Sequence, residues 1–85
     1  MVGLTVKDSI VKACVLIRVR ANRHYQVAAE LGRFEGVKSA FAVMGSADVV
    51  TRIEVKDMRA LAALGTRIGN LADVVTTETF VTAEV

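Results

Sequence analysis

Residues 36–55 read Gly-Val-Lys-Ser-Ala-Phe-Ala-Val-Met-Gly-Ser-Ala-Asp-Val-Val-Thr-Arg-Ile-Glu-Val, and the fold turns on this stretch. Two runs rich in valine and other strand-forming residues, 37–44 and 49–55, flank the short segment Gly45-Ser46-Ala47-Asp48. β-Branched runs bounded by Gly, Ser and Asp predict two antiparallel strands joined by a tight turn. The first run is apolar at nearly every position, interrupted only by Lys38 and Ser39, so most of it is expected to be covered on both faces. The second alternates, with Thr51, Ile53 and Val55 opposed to Val50, Arg52 and Glu54.

The turn carries the most distinctive chemistry of the chain. Gly45 allows a backbone that directs N–H groups outward, a small anion-binding concavity. Asp48 follows three residues later with a fixed negative charge. Donors beside a carboxylate suit a small zwitterion, its own carboxylate at the N–H groups and its ammonium on the Asp. The same residues equally suit a plain hairpin turn in which Asp48 bonds its own backbone.

On the N-terminal side, residues 13–20 (Ala-Cys-Val-Leu-Ile-Arg-Val-Arg) predict a strand. Val15, Ile17 and Val19 point one way; Cys14, Leu16 and Arg18 point the other. Residues 22–33 predict a helix with Asn22 as N-cap. His24, Val27, Ala28 and Leu31 fall on one stripe of it. Gly32 and Gly36 bracket the exit, one of them as a left-handed stop. On the C-terminal side, Asp57 caps a second helix running to about Ile68. Its inward residues are Met58, Leu61, either Leu64 or Gly65, and Ile68, and Gly69-Asn70 ends it. Residues 73–82 have the β-branched composition of a last strand.

The order is β-α-β-β-α-β, and it repeats itself. Ile17-Arg18-Val19 recurs as Ile53-Glu54-Val55, Val27 and Leu31 correspond to Leu64 and Ile68, and Val37 corresponds to Val74. Two βαβ halves describe an α+β, ferredoxin-like βαββαβ fold, a four-stranded antiparallel sheet with two helices on one face. The other sheet face has no covering layer in one chain, so a second sheet from a partner is expected there.

Composition supports that expectation. The chain has 85 residues, 53% of them hydrophobic, and a mean hydropathy of +0.46. One small domain cannot hide so much apolar surface, which predicts an oligomer. The longest stretch between charges, residues 39–47, is far too short to span a membrane. No basic-then-apolar leader opens the chain, and the cytoplasm is the expected compartment. A single cysteine, Cys14, excludes an internal disulfide. The net charge of +2 is too slight to argue for nucleic acid. Arg18, Arg20 and Arg23 cluster near the end of the first strand, and read as a solvated rim or as ion-pair partners more readily than as phosphate ligands.

Taken in order, several loose motifs together resemble one family. They are the first-strand run Cys14 to Val19, Glu35-Gly36-Val37 after the first helix, and Met44-Gly45-Ser46-Ala47-Asp48-Val49 in the hairpin. The Asp57-started helix follows, and then Val74-Val75-Thr76-Thr77-Glu78-Thr79. The chain resembles the effector-binding (RAM) domain of the Lrp/AsnC feast/famine transcription regulators, standing alone. Residues 1–12 then form a short N-terminal arm, and 13–85 the single domain. Twelve residues are too few for the helix-turn-helix of full-length members, so direct nucleic-acid binding is not expected.

The resemblance implies a homo-oligomer of the dimeric α+β barrel type. Dimers form through the open sheet faces and assemble into rings, often octamers. It implies a free amino acid as effector, bound in clefts between dimers, and a full-length regulator of the family as a further partner. The site residues it implies are Gly45, Asp48, Thr77 and Thr79, with Met44, Ser46 and Ala47 as loop neighbours. Two positions depart from the family pattern. Ala47 stands where an aromatic often precedes the Asp, and Asp73 replaces a glycine before Val74.

Two other readings share the fold. One is a ligand-independent assembly module. The other is a small enzyme of the same barrel type, for which His24, Tyr25 and Cys14 are the only candidates. The sequence shows no nucleophile–base pair or metal-ligand cluster. Neither catalysis nor a cofactor is expected.

Overall fold

The computed structural model describes residues 10–82. They form β1 (Val11–Val19), α1 (His24–Leu31), β2 (Val37–Ala42), β3 (Val49–Val55), α2 (Met58–Gly69) and β4 (Val74–Val81). All six predicted elements are present in the predicted order. β1 starts two residues ahead of its expected first residue; residues 1–9 of the expected arm lie outside the described residues.

The strands form one antiparallel sheet in the order β2-β3-β1-β4. β1 is therefore central, pairing Ile17 with Val49 on one side and with Thr77 on the other. Its alternation decides what is inside. Ala13, Val15, Ile17 and Val19 are buried, while Lys12 and Arg18 on the opposite face are exposed and Cys14 and Leu16 are half-buried. Both helices cover the buried face, and Val27, Ala28 and Leu31 from α1 meet Leu61, Leu64 and Ile68 from α2 over Ile17, Val49 and Ile53. The internal repeat is thus a repeat of core positions, since Ile17 with Ile53 and Leu31 with Ile68 are the largest fully buried side chains. Thr51 is the one polar residue fully buried among them, and its hydroxyl donates to the Val15 carbonyl at 3.3 Å.

Three local expectations are corrected. Asn22 is not the cap of α1. It has a φ of 67°, and the helix starts at His24 with Arg23 in the cap position and no side-chain cap bond. Asparagine tolerates the left-handed conformation, and here it turns the chain out of β1 instead. In α2 the Asp57 cap holds, its Oδ1 accepting from the Ala60 amide at 2.8 Å, but Met58 is 56% exposed and not inward. The buried stripe begins one turn later at Leu61 and continues through Leu64, not Gly65. β2 ends at Ala42, two residues short of the predicted end, although the Val43 amide still reaches the Asp48 carbonyl at 2.9 Å. Within one chain β2 keeps an open face, where Phe41 is 47% exposed; this is the face expected above to meet a partner's sheet.

Gly36, and not Gly32, is the left-handed residue, with a φ of 96°. Its carbonyl accepts from the Glu54 amide at 2.9 Å, and a Cβ there would stand 3.1 Å from Val55 Cγ1 and 3.3 Å from Leu64 Cδ2. Backbone strain and crowding act together at this point. Gly36→Ala is expected to destabilise the fold by more than about 1 kcal/mol, seen as a lower urea midpoint at fixed protein concentration with an unchanged slope.

Candidate functional site

Where β1 leaves the sheet, the β2–β3 hairpin folds back onto it, and one residue makes the join. The Asp48 amide donates to the Ile17 carbonyl at 2.9 Å, the Asp48 carbonyl accepts from Val43, and Asp48 Oδ2 accepts from the Val19 amide at 2.9 Å. The carboxylate therefore stands in for the next rung of the β1–β3 ladder, whose last backbone pair is Ile17 with Val49. Beside it Arg18 Nη1 donates to the Ser46 carbonyl at 3.3 Å. Gly45, with a φ of 152°, supplies a backbone conformation that side-chain-bearing residues rarely adopt.

This join leaves a cleft of about 360 Å³ between the hairpin and β4. Leu16 and Arg18 line it from β1, Ser46 and Ala47 from the hairpin, and Thr76, Thr77 and Glu78 from β4. Its size falls in the lower part of the range of small-molecule sites, about 300–1,000 Å³. The mixture fits that class also: an apolar leucine and alanine, hydroxyls, and one charge of each sign.

Of the expected site residues, Ser46, Ala47 and Thr77 come together at the cleft. Gly45 and Asp48 shape the hairpin without lining it. Met44 is 99% exposed at the hairpin tip, and Thr79, paired with Val15, lies further along β4 outside the cleft. Leu16, Arg18, Thr76 and Glu78 are lining residues that sequence reasoning did not single out as a site. The β1–β4 register brings them together, and that register joins the two ends of the chain.

The remaining arginines are occupied close by. Arg23 Nε lies 3.3 Å from Asp73 Oδ2, and Arg20 Nε donates to the Ala72 carbonyl at 3.3 Å. Together with the Arg20 amide on the Asp73 carbonyl at 2.9 Å, they fasten the α2–β4 connection to the end of β1. Asp73, a departure from the family pattern, thus has an ion-pair partner in the same chain.

A larger surface groove, about 560 Å³, runs between α2 and the β2–β3 side of the sheet. Its rim alternates in sign through Glu35, Lys38, Glu54 and Lys56, and Arg67 is stacked on the Phe34 ring at 4.5 Å. It is the seam where helix meets sheet and holds none of the residues expected at the site, so the smaller cleft is the candidate taken forward. His24 is half-buried with its Nδ1 lacking a hydrogen-bond partner, and it lines neither opening. Among the described residues no group of His, Cys, Asp or Glu could hold a metal ion, and no helix is long and apolar enough to cross a membrane.

Residues 12–85 match the family model of the Lrp/AsnC ligand binding domain. The chain belongs to this family. Among solved structures, the chain is similar to TTHA0845 from Thermus thermophilus, at 30% identity and a TM-score of 0.83, covering 88% of this chain and 95% of that one. AsnC of Escherichia coli shares the fold at 16% identity and a TM-score of 0.79, covering 100% of this chain and 60% of AsnC. A transcriptional regulator of Neisseria meningitidis, NMB0573, solved as a complex with L-Met, shares it at 19% identity and a TM-score of 0.78. That alignment covers 99% of this chain and 58% of the regulator. No curated protein matches the chain. The βαββαβ architecture of this Lrp/AsnC domain is therefore shared with full-length regulators, of whose length it spans about three fifths. The family is a regulatory ligand-binding domain and typically not enzymatic.

The position of Asp48 makes it a structural residue whether or not a ligand is present. Asp48→Ala leaves the Val19 amide without its charged acceptor, a loss of about 1.5–3 kcal/mol for such bonds. A fall in melting temperature of the ligand-free variant is expected, with Asp48→Asn, which keeps an acceptor, falling less.

Proposed function

We propose that this protein is an amino-acid-responsive assembly module of the Lrp/AsnC type, working through oligomerisation. The cleft supports the reading: Ser46, Ala47, Thr76, Thr77 and one charge of each sign line a space of small-molecule size. The L-Met complex of the Neisseria meningitidis relative supports an amino acid as the effector class.

Assembly is supported by the open sheet face. Register places Phe41, Val50, Leu16, Cys14 and Phe80 on it together, with Phe41 and Phe80 47% and 49% exposed. Apolar surface in one contiguous patch favours a second copy seated sheet to sheet. Members of the family oligomerise. In this reading dimers pair through that face, and rings of dimers, up to an octamer, bring a neighbour's surface to the cleft. An amino acid that completes its site only in the assembly then stabilises the assembly by linkage. A full-length regulator of the family, presenting the same interfaces, is the natural protein partner.

Two measurements test this. Phe80→Glu, which places a charge on the β4 edge of the open face, is expected to convert the oligomer to a lower assembly state in sedimentation velocity. Retention of the wild-type mass would count against the sheet-to-sheet dimer. In a thermal-shift series against each amino acid at millimolar concentration, one or a few are expected to raise the melting temperature. A domain of this size gains about 4–8 °C for each kcal/mol of binding linkage. No shift with any of them would leave ligand-independent assembly as the surviving reading.

A further inference from the structure

The open face of the sheet carries charges as well as apolar side chains, and register fixes where each stands. One row across it runs Ser39, Arg52, Cys14, Phe80; the next, toward the hairpin, runs Phe41, Val50, Leu16, Glu78. Arg52 on β3 and Glu78 on β4 are therefore opposite corners of the apolar patch, with β1 between them. Two strand spacings, roughly 10 Å, separate them across the sheet, and one row, roughly 7 Å, along it. Both are exposed, and neither side chain has an ion pair or hydrogen bond among the described residues. The other charges of the paired rows are provided for. Arg18 donates to the Ser46 carbonyl, and Lys12 stands directly opposite Glu54.

A sheet that covers this face takes Arg52 and Glu78 out of water. A covered charge without a partner is strongly unfavourable, so the covering surface must bring the opposite charge to each. The face itself is such a surface. The midpoint between the two residues falls on β1 between Cys14 and Leu16, in the middle of the patch. A two-fold axis through that midpoint, lying between two facing sheets and square to the line joining the pair, sets Arg52 of each copy on Glu78 of the other. We propose that the open face binds a second copy of this chain through two reciprocal salt bridges, Arg52 of each protomer with the partner's Glu78.

The contact is isologous, the patch being its own complement. Cys14, Leu16, Val50 and Phe80 lie close to the axis, so an apolar centre is flanked by an ion pair on either side. Guanidinium presents paired donors to a carboxylate, the geometry for a bidentate contact. Apolar contact is non-directional and does not fix how the two sheets cross. The charged corners do, because any other register leaves both of them against apolar side chains. Glu78 also lines the cleft, so the interface reaches the cleft at this residue.

This inference rests on the sheet-to-sheet dimer proposed above, and sedimentation velocity of the full chain with charge-exchanged variants separates the two. Arg52→Glu and Glu78→Arg, both at positions exposed in the single chain, are each expected to weaken self-association about 100-fold or more. Each then runs at a lower mass than wild type at the same concentration. Mixed in equal amounts, the two variants are expected to recover the wild-type mass, because both contacts of the mixed dimer again join a guanidinium to a carboxylate. Recovery also shows that neither variant is merely misfolded. The doubly exchanged chain is expected to associate with itself as wild type does. A wild-type oligomer whose mass both single variants retain would overturn the reciprocal pair and leave the sheet-to-sheet dimer standing. Dissociation of the single variants without recovery, either in the mixture or in the doubly exchanged chain, would overturn the pair as well. A wild-type monomer would overturn the dimer and the pair together.

Discussion

Everything in this molecule is hung on a strand that is hydrogen-bonded along both edges. β1 pairs with β3 on one side and β4 on the other, and its buried alternate residues, Ala13 through Val19, are the floor on which both helices rest. A strand in that position has no freedom of register, because a slip of one residue would exchange Ile17 for Arg18 in the core. The constraint propagates outward. It aligns Ile53 of β3 with Ala13, and it places Thr76 and Glu78 of β4 beside Arg18 and Leu16. The cleft is a by-product of the same pairing that makes the core.

The two faces of that sheet divide the labour. The helix face is closed by aliphatic side chains of both helices, with Thr51 as its one fully buried polar residue. The open face keeps Phe41 and Phe80 at about half exposure, which within one chain leaves apolar surface in water. Between the faces, at the end where β1 stops, Asp48 and Arg18 tie the hairpin down by hydrogen bonds and not by apolar contact. Polar fastening there leaves an opening that a ligand can enter, where aliphatic packing would have filled it.

Much of this was legible in the chain before any coordinates. Strand β3 and the core stripes of both helices follow from alternation and from the 3.6-residue period, signals that belong to neighbouring residues. The Asp57 cap was legible for the same reason, being a bond between residues three apart. The errors were of one kind. Asn22 has the chemistry of a cap, but the exit path of β1 places it in a left-handed turn. Met58 continues the stripe of α2 in sequence and yet lies outside the packed part of the helix. In each, a valid local preference was overridden by where the chain had to go next.

The candidate site shows the limit most clearly. Gly45, Ser46, Ala47 and Asp48 could be recognised as one group because they are consecutive, and Thr77 because it falls within a family-like motif. Arg18 and Glu78, far apart along the chain, carried no sign of belonging together. By itself the sequence determined the element order, the pseudo-repeat, the family and the surplus of apolar surface, because periodicity and composition are properties of the chain. Only the tertiary structure decided that Asp48 is a clasp, which sheet face stays open, and which charges share a cleft. Those depend on register between distant strands, and register is settled by packing the whole core at once.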